Sequence, residues 1–180
     1  MSQRVAILLL GLSIAAAGCG SGGSGGGDKS PLTAGFSADQ PNPGNETVAM
    51  AEGASAGDLV TIDVNVTGTN DVYGISFDVT FDDSDVVYDG WSKGSLLEQS
   101  GHAVSYQVVS QAGKLVVSAS RQGSVSGANA AGTVPIIRLA FRAVEAGGHT
   151  ISFENPELLD SQVQPQPISV DWFGGALTAS

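Results

Sequence analysis

The residues that could do chemistry are few. Cys19 is the only thiol among 180 residues, and eight Gly and Ser residues follow it directly. A lone cysteine closes no internal disulfide, and a Gly/Ser run supplies no cation or base to activate it. His102 and His149 sit in the turn-like segments QSGHAV and AGGHTI, with no acidic or serine partner at a recognisable spacing, and read as surface histidines. The segment GSVSG, 123–127, has valine where a G-x-S-x-G nucleophile would stand. Two histidines and this cysteine do not build an ordinary zinc site. The expectation is a protein that is not an enzyme and needs no cofactor.

Two binding chemistries remain. Asp82, Asp83, Asp85 and Asp89 lie close together in DDSDVVYD. Calcium takes roughly six to eight oxygens, which such a loop could supply in part. The spacing is not that of an EF-hand, and Asp and Ser favour turns without any ion, so the turn is the stronger reading and no metal is assigned. Sugar recognition by a β-sandwich needs exposed aromatic rings. Trp91, Trp172, Tyr88, Tyr106 and Phe173 fall outside the main apolar runs, and DGWSKG places Trp91 in an accessible loop. Trp91 is therefore the candidate for polysaccharide contact.

The start of the chain accounts for Cys19. Arg4 is followed by an apolar run, Val5 to Ile14, and by the small residues Ala15 to Gly18. A charged end, a short apolar core and a small-residue cleavage site make a secretory signal. Ala16-Ala17-Gly18-Cys19 resembles a bacterial lipobox. The resemblance implies cleavage before Cys19 and lipidation of its sulfur, hence a membrane anchor. Gly20, where an Asp would retain the protein, favours the outer membrane or cell surface. Residues 1–18 read as the signal, 19–35 as the lipidated cysteine with a disordered Gly/Ser tether, and 36–180 as one folded domain. The net charge of −11 repels nucleic acid and anionic head groups.

The folded part alternates with period two. In YGISFDVTF, 73–81, Tyr73, Ile75, Phe77, Val79 and Phe81 take one face. LVTIDVNV, 59–66, and VPIIRLAFRA, 134–143, do the same, the latter turning Ile137, Leu139 and Phe141 inward and Arg138 and Arg142 outward. Shorter candidate strands are 47–51, 86–91, 104–109, 115–120, 150–153, 168–171 and 176–178. Turns fall at Gly57-Asp58, Gly68 to Asp71, Gly113, Gly123 to Gly132 and Gly147-Gly148. Strands this short and numerous, without helical periodicity, predict an all-β, nine-stranded antiparallel sandwich of jelly-roll type.

The order of these segments resembles a cohesin domain from about Thr47 to Thr178. Gly57-Asp58 opens the first long strand, Phe81-Asp82 ends the next, and Gly94-Ser95-Leu96-Leu97 and Leu158-Leu159-Asp160 follow. The resemblance implies a flattened jelly roll without catalytic activity that binds dockerins, helical modules carrying paired calcium loops. Any calcium would then belong to the partner. Cohesins share their sandwich with some carbohydrate-binding modules, so glycan binding is the alternative expectation, and a purely structural envelope protein is a third. The family's partner-binding face maps onto Gly74, Ser76, Asp78 and Thr80, which alternation also turns outward, and onto Ser118, Ser120, Arg121 and Gln122. The expectation is thus a monomeric, lipid-anchored surface protein binding a dockerin-like module and associated with polysaccharide degradation.

Overall fold

The computed structural model describes residues 31–180. The signal, Cys19 and most of the tether lie outside the described residues. Eleven strands run in chain order: β1 (Ala34–Ala38), β2 (Thr47–Ala56), β3 (Leu59–Val72), β4 (Gly74–Thr80), β5 (Val86–Lys93), β6 (Val104–Gln111), β7 (Lys114–Arg121), β8 (Ala128–Ala143), β9 (Gly147–Leu159), β10 (Asp171–Phe173) and β11 (Gly175–Ala179). They form two sheets, β1-β11-β9-β4-β7-β6 and β10-β2-β3-β8-β5. The expected two-sheet, cohesin-like sandwich is therefore present, with eleven strands in place of nine.

The inward positions read from alternation are the core. Val60, Ile62, Val64 and Val66 of β3, Ile75, Phe77 and Val79 of β4, and Ile137, Leu139 and Phe141 of β8 are all buried. Burying each such side chain stabilises the fold by about 1.5–3 kcal/mol. Ile136 is buried as well. The register slips between Val64 and Asn65, whose partners are Ile137 and Pro135, so Ile136 occupies a bulge and breaks the alternation.

Several boundaries differ from expectation: β3 runs through the turn expected at Gly68 to Asp71, and β9 runs from Gly147 to Leu159 through the turn expected at Gly147-Gly148. β1 begins at Ala34, inside the segment assigned to the tether, because Ala34 to Ala38 pair with β11. β8 runs back to Ala128 through residues expected to be a turn, since Ala128 and Ala130 pair with Val72 and Thr69 of β3. β10 lies at Asp171–Phe173 and pairs with β2 in parallel, an exception to the antiparallel pattern.

The chain passes from one sheet to the other at Tyr73, between β3 and β4, and Asp71 just before it has φ of 59°. Left-handed backbone is costly for a non-glycine residue, though Asp tolerates it better than most. The carboxylate of Asp71 accepts from the Gly127 N–H at 2.9 Å and from the Ser161 hydroxyl at 2.7 Å, which fixes the corner. These bonds, the Ser161 hydroxyl first, hold its pKa below the ordinary value.

Candidate functional site

The outer face of the six-stranded sheet is a grid set by strand register. Gly74, Ser76, Asp78 and Thr80 of β4 lie opposite Ser120, Ser118, Val116 and Lys114 of β7. The same β7 residues lie opposite Ser105, Gln107, Val109 and Gln111 of β6. On the other side β4 meets Leu159, Glu157, Glu154 and Ser152 of β9. The intervening residues Ile75, Phe77, Val79, Leu115, Val117 and Ala119 are buried, so the grid points outward. Gly74, Ser76, Asp78, Thr80, Ser118 and Ser120, all expected on one face, do share it. Gly74 is buried all the same, because a Cβ there would stand 3.3 Å from the Ala119 carbonyl.

Arg121 departs from expectation. It is 3% exposed and cannot meet a partner. Its Nε donates to the Leu97 carbonyl at 2.9 Å, and its Nη atoms donate to the carbonyls of Ser126 at 2.8 Å and Gln99 at 2.9 Å. It follows buried Ala119 by two residues and so belongs to the inward set of β7. It knits the β5–β6 and β7–β8 connections together. Gln122, next along, is exposed beside the face.

Polar order on the face comes from Lys114. Its Nζ lies 2.9 Å from Asp78 Oδ2 and 3.2 Å from a Glu154 carboxylate oxygen. Asn155 Nδ2 donates to the same Asp78 oxygen at 3.0 Å. The Lys114 hydrogen bond, followed by that of Asn155, holds the Asp78 pKa below the usual carboxylate range. The hydroxyls of Thr80 and Ser152 are 2.8 Å apart. Val109 and Val116 are 43% and 37% exposed and directly paired. Sequence reasoning missed this apolar pair, together with Lys114, Glu154 and Glu157. KLVVSAS alternates poorly because Val116 is an apolar residue on the outward side.

Trp91 occupies a different place. It pairs with inward-facing Leu139 at the edge of the five-stranded sheet. Its ring lies 5.5 Å from that of Tyr106, an inward residue at the edge of the other sheet. The two rings close one open side of the sandwich. Trp91 remains 39% exposed and borders a cleft of about 290 Å³ lined by Thr61, Asp89, Ser92 and Arg138. Trp172 packs inward, 5.1 Å from Phe153.

The acidic stretch is a turn. Asp82 accepts from the Ser84 N–H at 3.0 Å and the Ser84 hydroxyl at 2.7 Å, which lowers its pKa. The Val86 N–H donates to the Asp82 carbonyl at 2.9 Å. Asp89 faces elsewhere, 3.4 Å from Arg142. Among the described residues no group of three or more His, Cys, Asp and Glu side chains is arranged to hold a metal. His149, expected at the surface, is buried with Nδ1 3.2 Å from Asp85, a partner distant in sequence. His102 is half-buried.

The fold is that of solved cohesins. A type II cohesin domain from the cellulosome of Acetivibrio cellulolyticus superposes with a TM-score of 0.58 at 13% identity, covering 75% of this chain and 95% of that one. The type II cohesin–X-dockerin complex of the same organism gives 0.57 at 14%, covering 70% and 92%. A non-cellulosomal cohesin from the archaeon Archaeoglobus fulgidus gives 0.51 at 14%, covering 72% and 88%. No curated protein matches in sequence. The model of the cohesin domain matches residues 45–167, most of the folded part. The chain belongs to the cohesin domain family.

Proposed function

We propose that this chain binds a dockerin-type protein module through the outer face of β9, β4, β7 and β6. Membership of the cohesin family across residues 45–167 carries the reading. Cohesin modules are non-catalytic binding domains, and one of the solved relatives is a complex with a dockerin. The face itself suits the role. It carries side-chain hydroxyls at Ser76, Ser118, Ser120 and Ser105 and an exposed apolar pair, Val109 and Val116, toward its β6 edge. Short polar side chains around an apolar patch are the composition of a protein interface.

The same proposal includes the anchor. The lipobox-like Ala16-Ala17-Gly18-Cys19 places the domain on the bacterial envelope, with the Gly/Ser run as a tether that lets the face sample partners. A role near polysaccharide breakdown follows if the captured partners carry degradative enzymes. A second reading, glycan binding, draws on the exposed Trp91 ring beside the cleft of Asp89, Ser92 and Arg138.

The test is capture by the immobilised chain of secreted and envelope proteins from the native organism, with elution by EDTA. Recovery of proteins with duplicated calcium loops, weakened by Asp78→Lys and Ser118→Lys but not by Arg138→Glu on the opposite sheet, supports the reading. Capture indifferent to Asp78→Lys and Ser118→Lys refutes the face. Retention on insoluble polysaccharide, lost on Trp91→Ala, favours the second reading. Fatty-acid labelling that survives Cys19→Ala refutes the anchor.

A further inference from the structure

An open sheet edge is a row of unpaired N–H and C=O groups that recruits another strand unless it is blunted. The two sheets end on β1, β6, β10 and β5. On β1 the Ala34 N–H donates to the Gly57 carbonyl at 2.7 Å, and the Phe36 N–H donates to a Glu52 carboxylate oxygen at 3.0 Å. β10 is only three residues long. β5 carries Asp89 and Lys93, and its register slips between Tyr88 and Gly90. β6 has none of these devices. It runs for eight residues in unbroken register with β7, and VSYQVVSQ contains no charge and no proline.

Backbone bonds at the start of β6 set which of its groups are free. The Gln122 N–H donates to the Ala103 carbonyl, while the Arg121 N–H turns to the Tyr73 carbonyl on the β4 side. Val104, opposite Arg121, therefore points its backbone away from β7. The direction alternates along an antiparallel ladder, so Tyr106, Val108 and Ser110 do the same. Among the described residues β7 is the only ladder partner of β6, and no side chain bonds to these four N–H and C=O pairs.

We infer that β6 pairs antiparallel with β6 of a second copy of this chain, about a two-fold axis at Gln107, joining two six-stranded sheets into one. That register sets Val104 against Ser110 of the second copy and Tyr106 against its Val108, so every free residue exchanges both of its backbone bonds. Tyr106 then lies beside a β-branched side chain, a favourable cross-strand pair. Charge points to a second copy as well. Each chain carries a net charge of −11, yet nothing from Ala103 to Gly113 is charged, so self-pairing sets no like charges opposite one another. Growth stops at two, because the outermost strands of the joined sheet are both β1, whose edge N–H groups are already taken. The inference goes beyond partner capture and differs from the monomer expected from sequence. It does not depend on the partner-binding face, although the dimer sets two copies of that face side by side.

The test is sedimentation velocity of the full chain, under reducing conditions so that Cys19 cannot join chains. Wild type should form a dimer that grows with concentration and strengthens with salt, as screening relieves the repulsion of two acidic chains. Gln107→Lys and Gln107→Glu each set like charges across the two-fold axis and should weaken the dimer roughly fivefold, while their equimolar mixture should recover it. Ser110→Pro removes one free N–H at an exposed edge position and should weaken it too. Thermal unfolding of each dilute variant confirms that it is folded. A wild-type chain that stays monomeric up to about 1 mM overturns the inference. So does a mixture no tighter than either charge variant alone, or a dimer as tight in Ser110→Pro as in wild type.

Discussion

Arg121→Met tests what a buried guanidinium does in this sandwich. Methionine keeps most of the stem's packing and removes every donor. Three charge-assisted hydrogen bonds are lost, to the carbonyls of Leu97, Ser126 and Gln99. Each is worth about 1.5–3 kcal/mol before the hydration that the guanidinium gave up is returned. That hydration is substantial, since burial pushes the Arg121 pKa down. The Ser126 and Gln99 carbonyls belong to exposed and half-buried residues and can turn to water. Leu97 is buried, so its carbonyl stays unsatisfied at a cost of about 1–3 kcal/mol. With some looser packing of the two connections, the net loss should be about 2–4 kcal/mol. For a domain of this size the melting temperature should then fall by roughly 5–15 °C. Urea unfolding followed by circular dichroism measures it, as a lower midpoint with an unchanged slope. Partner capture well below the transition should persist. A stability change under about 1 kcal/mol accompanied by loss of capture would refute the reasoning and return Arg121 to the interface.

Other perturbations address the remaining elements. Gly94→Ala should destabilise by about 1–3 kcal/mol, because a Cβ there meets the Pro135 carbonyl that accepts the Ser95 and Leu96 N–H groups; denaturant midpoints check this. Tyr106→Phe should be neutral or stabilising by about 1 kcal/mol, since the Tyr106 hydroxyl is buried without a hydrogen-bond partner. In the wild type, burial pushes that phenol up to about 12, so ultraviolet titration should find a tyrosine that ionises only in strong alkali and is lost in Tyr106→Phe. Stability should fall in acid. Asp71, Asp78, Asp82, Asp160 and Glu52 all have folded pKa values below their ordinary ones. Each therefore stabilises the fold while ionised, fully above about pH 5, and the gain disappears as pH drops through the lowered values. Lys114→Met should reduce the Asp78 share, leaving the part due to Asn155, and a wild-type urea midpoint flat from about pH 5 to pH 2 would contradict the assignment.

The long strands were legible because their burial is one-sided. Period-two alternation in 59–66, 73–81 and 134–143 is a local consequence of one wet and one dry face, and it survived folding almost unchanged. The half of the site carried by β4 was legible for the same reason. What failed has non-local causes. Residues 34–38 and 128–133 are mostly Ala, Gly and other small residues, with little strand-forming signal beyond Phe36 and Thr133, and they become strands only because β11 and β3 are there to pair with them. Arg121 carries a charge that sequence assigns to the surface, yet three backbone carbonyls, those of Leu97 and Gln99 distant in the chain, make burial tolerable. His149 found Asp85 by the same route, across a turn that no spacing rule connects.

The sequence alone determined the class of fold, the inward face of each long strand, the turn at Asp82 and the resemblance that led to a cohesin. These depend on neighbours in the chain. Only the tertiary structure decided which outward residues lie side by side. Register placed Val109 beside Val116 and Lys114 between Asp78 and Glu154, and a one-residue bulge at Asn155 and Pro156 put Glu157 on the same face as Glu154. Side chains in a strand repeat every two residues, so a single extra residue reverses every orientation beyond it. Cross-strand pairing settles where that residue goes.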